Sequence, residues 1–135
     1  PEAAMAGAAL GAEETAAAGL LTMIGHAPYA VSKAAALAFA QNLAITHGDQ
    51  GIGVSVLCPQ AVTTDMLQAT PRPEAAMAGA ALGAEETAAA ALDGVEAGRF
   101  LILPHPEVAD FARRRAEDLD RWIGGMRKLR RQMAE

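Results

Sequence analysis

Ile52-Gly-Val-Ser-Val-Leu-Cys58 runs almost without interruption through β-branched and apolar residues and stops at Pro59. A strand wetted on one face alternates apolar with polar residues, whereas a strand covered on both faces is apolar throughout, as in a parallel sheet. The stretch therefore predicts a buried parallel strand. A second candidate, Arg99-Phe-Leu-Ile-Leu103, follows a glycine stop at Gly98 and ends at Pro104. Between the two, helical segments are expected within Glu74 to Glu96, interrupted near Gly83. Strand, crossover helix, strand is one βαβ unit. The order predicts an α/β, helix-rich fold built on part of a doubly wound parallel sheet.

Upstream of the first strand, Ala27 to His47 is rich in helix formers and ends at Gly48. Val31, Leu37, Phe39, Leu43 and Ile45 stand there among eight alanines, so the helix is apolar all round and needs partners on several sides. Downstream of the strand, Gln60 to Arg72 reads as a polar loop, with Pro71 and Pro73 opposing helix. From Pro106 the tail reads as one long helix. Leu119, Trp122, Met126, Leu129 and Met133 recur along it every three or four residues, the mark of a packing face.

Pro1 to Ala18 and Pro73 to Ala90 are identical letter for letter, PEAAMAGAALGAEETAAA. A solenoid would show further copies at a fixed period, with drift between them. The second copy continues into Ala91-Leu-Asp-Gly-Val-Glu-Ala-Gly98 and completes a helix before the second strand. The first runs into Gly19-Leu-Leu-Thr-Met-Ile-Gly25, a glycine-bounded apolar run with no helical face to continue. The chain accordingly divides into residues 1–18, a duplicated alanine-rich helical segment of artefactual origin, and residues 19–135, the domain proper.

At 135 residues there is room for one domain with a modest core. Apolar residues make up 52% of the chain, but aromatics only 4%, so each buried position contributes little surface and the core is expected to be weak. A formal charge of -5 argues against general nucleic-acid binding. Eight of the eleven Lys and Arg fall between Arg113 and Arg131, yet Glu117, Asp118 and Asp120 interrupt them, as on a solvated helix face. Cys58 is the sole cysteine, which excludes an internal disulfide and fits a cytoplasmic setting. The start carries Glu2, Glu13 and Glu14 rather than a positive leader, and uncharged runs are broken by Gly25, His26 and Pro28. A soluble protein away from membranes is expected.

Tyr29-Ala-Val-Ser-Lys33 carries the chemistry. On a helix, residues four apart share a face one turn from each other. A free phenol titrates near pH 10, so only about one molecule in a thousand is phenolate at neutral pH, and a nearby ammonium favours the charged form. Such a phenol can take or give the proton of an alcohol while a cofactor exchanges the electrons. By itself the spacing is weak and also describes an ordinary surface pair.

Its surroundings are more specific. Gly25-His-Ala-Pro-Tyr-Ala-Val-Ser-Lys-Ala-Ala-Ala-Leu-Ala-Phe39, then Gly51-Ile-Gly-Val-Ser-Val-Leu-Cys-Pro59, then Gln60-Ala-Val-Thr-Thr64, is similar in order and spacing to the catalytic helix, sixth strand and following loop of the short-chain dehydrogenases/reductases. The similarity extends from Gly19 to the end of the chain and covers the C-terminal half of that family's Rossmann-like domain. The resemblance implies that Tyr29 is the general acid/base and that Lys33 lowers its pKa and holds the nicotinamide ribose. It implies that Pro59, Val62 and Thr64 lie on the loop facing the nicotinamide, with Gln60 where the family has glycine. NAD or NADP is the implied cofactor, and a small alcohol or ketone the implied substrate. The implied assembly is a homo-oligomer formed through the Ala27–His47 helix.

Two departures limit what the resemblance carries over. The family's catalytic serine, thirteen residues before the tyrosine, is replaced by Ala16, and Thr15 is out of phase by one. No glycine-rich strand-to-helix turn is present to receive a pyrophosphate, since Gly7-Ala-Ala-Leu-Gly11 follows no strand. The expectation is a truncated oxidoreductase, inactive alone and without saturable cofactor binding. The alternative is a non-catalytic half-domain acting as a helix-mediated oligomerisation module. His26, His47 and His105 lack metal-ligand spacing, so no metal site is expected; His47 fits a helix C-terminus and Cys58 a buried strand end.

Overall fold

The computed structural model of the chain describes residues 17–63 and 81–134. The elements in order are α1 (Ala18–Leu21), α2 (Ala27–His47), a 3-10 turn (Gly48–Gln50), β1 (Val56–Leu57), α3 (Ala84–Glu96), β2 (Leu101–Ile102), α4 (Glu107–Glu117) and α5 (Leu119–Met133). β1 and β2 pair in parallel with Val56 opposite Leu101 and Leu57 opposite Ile102, and α3 lies between them in the chain. The βαβ unit preceded by a helix is thus the observed arrangement. This helix-rich α/β unit fits a fragment of a Rossmann-like sheet.

The paired strands are shorter than the apolar runs that announce them, and the reason lies at the end of α3. Gly98 adopts a left-handed φ of 66°, and the Arg99 amide donates to the Gly94 carbonyl at 2.9 Å, closing the helix. The ladder therefore begins only at Phe100, whose carbonyl accepts from Val56, followed by Ile102 accepting from Cys58 at 2.9 Å. Ser55 reaches the Arg99 carbonyl with its hydroxyl at 2.7 Å instead of its backbone. Beyond β1, Val62 forms an isolated parallel bridge with Leu82, the Thr63 amide donating to the Leu82 carbonyl at 2.9 Å. Only this first part of the expected polar loop lies within the described residues.

α3 starts at Gly83, whose amide donates to the Glu86 carboxylate at 3.2 Å, while the Thr87 hydroxyl returns to the Gly83 carbonyl at 3.0 Å. The expected interruption near Gly83 is therefore a helix start. The tail is also corrected: it forms two helices, not one. Asp118 has an extended backbone (φ -152°, ψ 94°) and its side chain accepts from the Arg121 amide at 2.9 Å, so it ends α4 and caps α5. The apolar run from Gly19 to Gly25, which offers no helical face for the preceding segment to continue, contributes all but the first residue of α1. That one-turn helix spans the boundary drawn between residues 18 and 19, and it ends at Thr22, whose φ of 66° and ψ of 174° are backbone angles that glycine alone takes without strain.

Two small buried clusters hold these pieces. Leu37, Val56 and Cys58 form one, joining α2 to the sheet; Ala17, Leu21 and Val108 form the other, joining α1 to α4. Leu20 and Leu103 pack against both. Phe111 and Trp122 meet as tilted rings 6.5 Å apart and close the second cluster from α4 and α5. Among the described residues each cluster has three buried members.

Glycine has opposite meanings at two helical positions. A Cβ on Gly94 would stand 2.5 Å from the Ile102 Cδ1, because α3 crosses β2 there, whereas a Cβ on Gly124 in α5 meets nothing within 4 Å. Alanine gains about 1 kcal/mol over glycine in a helix interior, while overpacking costs about 1–3 kcal/mol. Gly124→Ala is expected to raise the Tm and Gly94→Ala to lower it, measured by thermal unfolding under one set of conditions.

Candidate active site

The site starts from the start of α2. Pro28 occupies its first turn, where a missing amide donor costs nothing, and fixes the backbone just before Tyr29. The Ser32 hydroxyl donates to the Tyr29 carbonyl at 2.8 Å, fastening the first turn further. One helical turn then separates Tyr29 from Lys33, and the Lys33 Nζ lies 5.5 Å from the centre of the Tyr29 ring. The sequence places the phenol and the ammonium on one face, and the structure brings them together there. Tyr29 is 41% exposed and Lys33 is half-buried. A solute can reach the ring.

The position of this turn depends on α1. A Cβ on Gly19 would lie 2.9 Å from the Lys33 carbonyl oxygen and 3.0 Å from its carbon, so only glycine lets α1 cross α2 this closely. α1 is in turn tied to the loop after β1, because the Ala17 amide donates to the Pro59 carbonyl at 2.8 Å. Pro59 is fully buried, and Val62 is partly buried at its bridge to Leu82. The chain of contacts therefore runs from loop to α1 to the turn that carries the lysine. Thr64, Ala16 and Thr15 lie outside the described residues.

The sequence names Gln60 and His105 singly, and the structure joins them at this loop. The Gln60 amide donates to the Nδ1 of His105 at 3.1 Å, across a separation of 45 residues. His105 is buried, and both its Nε2 and the Gln60 Oε1 are enclosed without a hydrogen-bond partner among the described residues. The available signal was a histidine between two prolines directly after a strand, Pro104-His-Pro106. Of the other histidines, His47 Nδ1 lies 3.2 Å from the Gln50 Oε1 at the end of α2, and His26 precedes α2. Among the described residues no group of three or more His, Cys, Asp or Glu could hold a metal ion. The guanidinium of Arg113 is held above its ordinary pKa, first by its hydrogen bond to Asp110 and then by the charge of Glu117, but it lies exposed on α4 and serves that helix.

Residues 15–75 match the family model of the short chain dehydrogenases. A 1-deoxy-11-beta-hydroxypentalenate dehydrogenase of Streptomyces exfoliatus is 32% identical over 99 residues, which make up 73% of this chain and 36% of that enzyme. The two matches show a relationship to the short-chain dehydrogenase/reductase family. The chain spans about a third of the length of the curated relative it matches. Within it, the family match takes in α1, α2, β1 and the loop leaving it. Kinship and the Tyr29–Lys33 geometry thus rest on the same segment.

Tyr29 is the only tyrosine in the chain, so tyrosine ring resonances report on it alone. Replacing Lys33 with Met is expected to shift those resonances relative to the unaltered chain, because the ammonium lies over the ring. Unchanged resonances would show that Lys33 does not stand against the phenol.

Proposed function

We propose that this chain supplies the proton-transfer helix and the nicotinamide-facing loop of an NAD(P)-dependent oxidoreductase that interconverts an alcohol and a carbonyl compound. Similarity to the short chain dehydrogenases supports oxidoreductase chemistry of that type. The finer reading is carried by one observation, the Lys33 ammonium 5.5 Å from the centre of a solvent-reachable Tyr29 ring. In this reading Tyr29 gives a proton to the substrate oxygen in reduction and takes it back in oxidation. Lys33 favours the phenolate and hydrogen-bonds the nicotinamide ribose. Pro59 and Val62, with Thr64, form the loop against the nicotinamide ring and its carboxamide. When bound, the dinucleotide supplies or accepts the hydride.

The described residues fit only the nicotinamide end of such a molecule. Tyr29 and Lys33 offer a phenol and an ammonium at one turn, while neither β1 nor β2 runs through a glycine-rich turn into a helix. A pyrophosphate therefore has no cradle among them. Fluorescence titration of the chain alone with NADH or NADPH is expected to show no saturable binding. Where the chain is joined to a dinucleotide-binding half, Tyr29→Phe is expected to lower kcat by about a hundredfold or more, the usual contribution of a positioned general acid/base. Turnover unchanged by that substitution would overturn the assignment.

The outer face of α2 supports a second element of the proposal, a homo-oligomer. Leu37 faces the core, whereas Phe39 and Ile45 are 62% and 82% exposed and Val31 stands out with them. Exposed apolar side chains spread along one helix are characteristic of an interaction surface. A second copy of the same helix, self-complementary about a twofold axis, would cover them. Phe39→Glu combined with Ile45→Glu is expected to convert an oligomer to a monomer in sedimentation analysis, without loss of helicity by circular dichroism. We place the protein in the cytoplasm, consistent with a lone buried thiol at Cys58. Among the described residues no helix is long and apolar enough to cross a membrane.

A further inference from the structure

Parallel strands exchange hydrogen bonds at alternate residues, so the donors along β1 fall at Val56, Cys58 and Gln60. The first two donate to the carbonyls of Phe100 and Ile102, and regular continuation would carry the third to Pro104. It does not go there. The Gln60 amide donates to the imidazole Nδ1 of His105 at 3.1 Å. A side chain has taken the place of the next backbone acceptor, at the point where the ladder ends and the loop begins.

The bond fixes the state of the ring. A backbone amide can only donate, so Nδ1 must present its lone pair, and a neutral imidazole then carries its proton on Nε2. That Nε2 and the Gln60 Oε1 are both buried without partners among the described residues. The Nδ1 contact is thus the hydrogen bond by which the structure uses this ring. His105 is also anchored at its backbone, its carbonyl accepting from Val108 at 3.1 Å to start α4, and only 3% of the residue is exposed. The acceptor is consequently held rigidly against a loop whose far side runs to Val62.

We infer that His105 is a positioning residue, which holds the loop beginning at Pro59 by accepting the Gln60 amide and so sets where Val62 stands. The inference rests on the oxidoreductase reading only for what the loop faces. It explains how a loop with glutamine in place of glycine keeps a defined backbone. Pro59 has no amide to donate, its carbonyl is engaged by Ala17, and the Gln60 amide is the next group able to fix the turn. Without the imidazole that amide would be left unmatched in a partly buried position.

Nitrogen-15 NMR tests the inference on the unaltered chain. The expected result is a scalar coupling across the hydrogen bond between the Gln60 amide nitrogen and His105 Nδ1, with the imidazole proton on Nε2. A ring protonated on Nδ1, with no such coupling, overturns it. Hydrogen exchange of two variants gives an independent answer. His105→Phe is expected to speed exchange of the Gln60 amide by about tenfold while leaving Val56 and Cys58 protected. His105→Asn, which returns an acceptor oxygen near the Nδ1 position, is expected to restore protection. Equal Gln60 protection in the unaltered chain and the phenylalanine variant would also overturn the inference. If His105→Phe unfolds, exposing Val56 and Cys58 together with Gln60, the coupling in the unaltered chain decides. A failure of Tyr29→Phe to affect turnover would instead strike the oxidoreductase reading and leave these loop measurements standing.

Discussion

The buried contact among Leu37, Val56 and Cys58 sets the rotation of α2, and nearly everything chemical in the chain follows from that rotation. A helix apolar all round carries no instruction of its own about which side should meet the sheet. Size decides it here. Ala30 is buried and Ala40 packs against the Leu37 cluster, so the side facing the sheet is lined largely by small residues around one leucine. Phe39 and Ile45 would hold α2 away from β1 and remain outside. Tyr29 lies eight residues before Leu37, a little over two turns, and therefore falls at the margin of the buried face. Lys33, halfway between them, is half-buried for the same reason.

The loop after β1 obeys a related constraint, because its backbone groups must all be accounted for where strand pairing stops. Pro59 offers only a carbonyl, which receives the Ala17 amide and so draws α1 onto the loop. α1 then passes over α2 at Gly19, directly above the Lys33 carbonyl. One proline and one glycine, far apart in sequence, couple the height of the loop to that of the lysine turn. A shift in either element would be felt by the other through a helix of four residues.

What could be read from the chain in advance divides along physical lines. α2 was legible to its last residue, because alanine-rich propensity and a glycine stop are local signals, and the two strands were legible as apolar runs. Their paired lengths were not, since these depend on the Arg99 amide closing α3 and leaving the ladder. The break at Asp118 escaped notice because the apolar stripe of the tail continues through it, even though an aspartate with a free choice of partners is a competent helix cap. In the site, the four-residue spacing of Tyr29 and Lys33 is a helical property and could be read directly. The Gln60–His105 bond joins residues from two different strand ends, and the prolines flanking His105 mark its position after a strand without announcing its partner.

The half-exposed setting of Tyr29 bears on how strongly Lys33 can act. Attraction between charged and polar groups weakens as the dielectric around them rises, so the same geometry acts feebly when wet and strongly when covered. The ring at 41% exposure stands between these limits. Whatever covers Tyr29 without adding an opposing charge strengthens the lysine's hold on the phenolate, and it does so without moving either side chain.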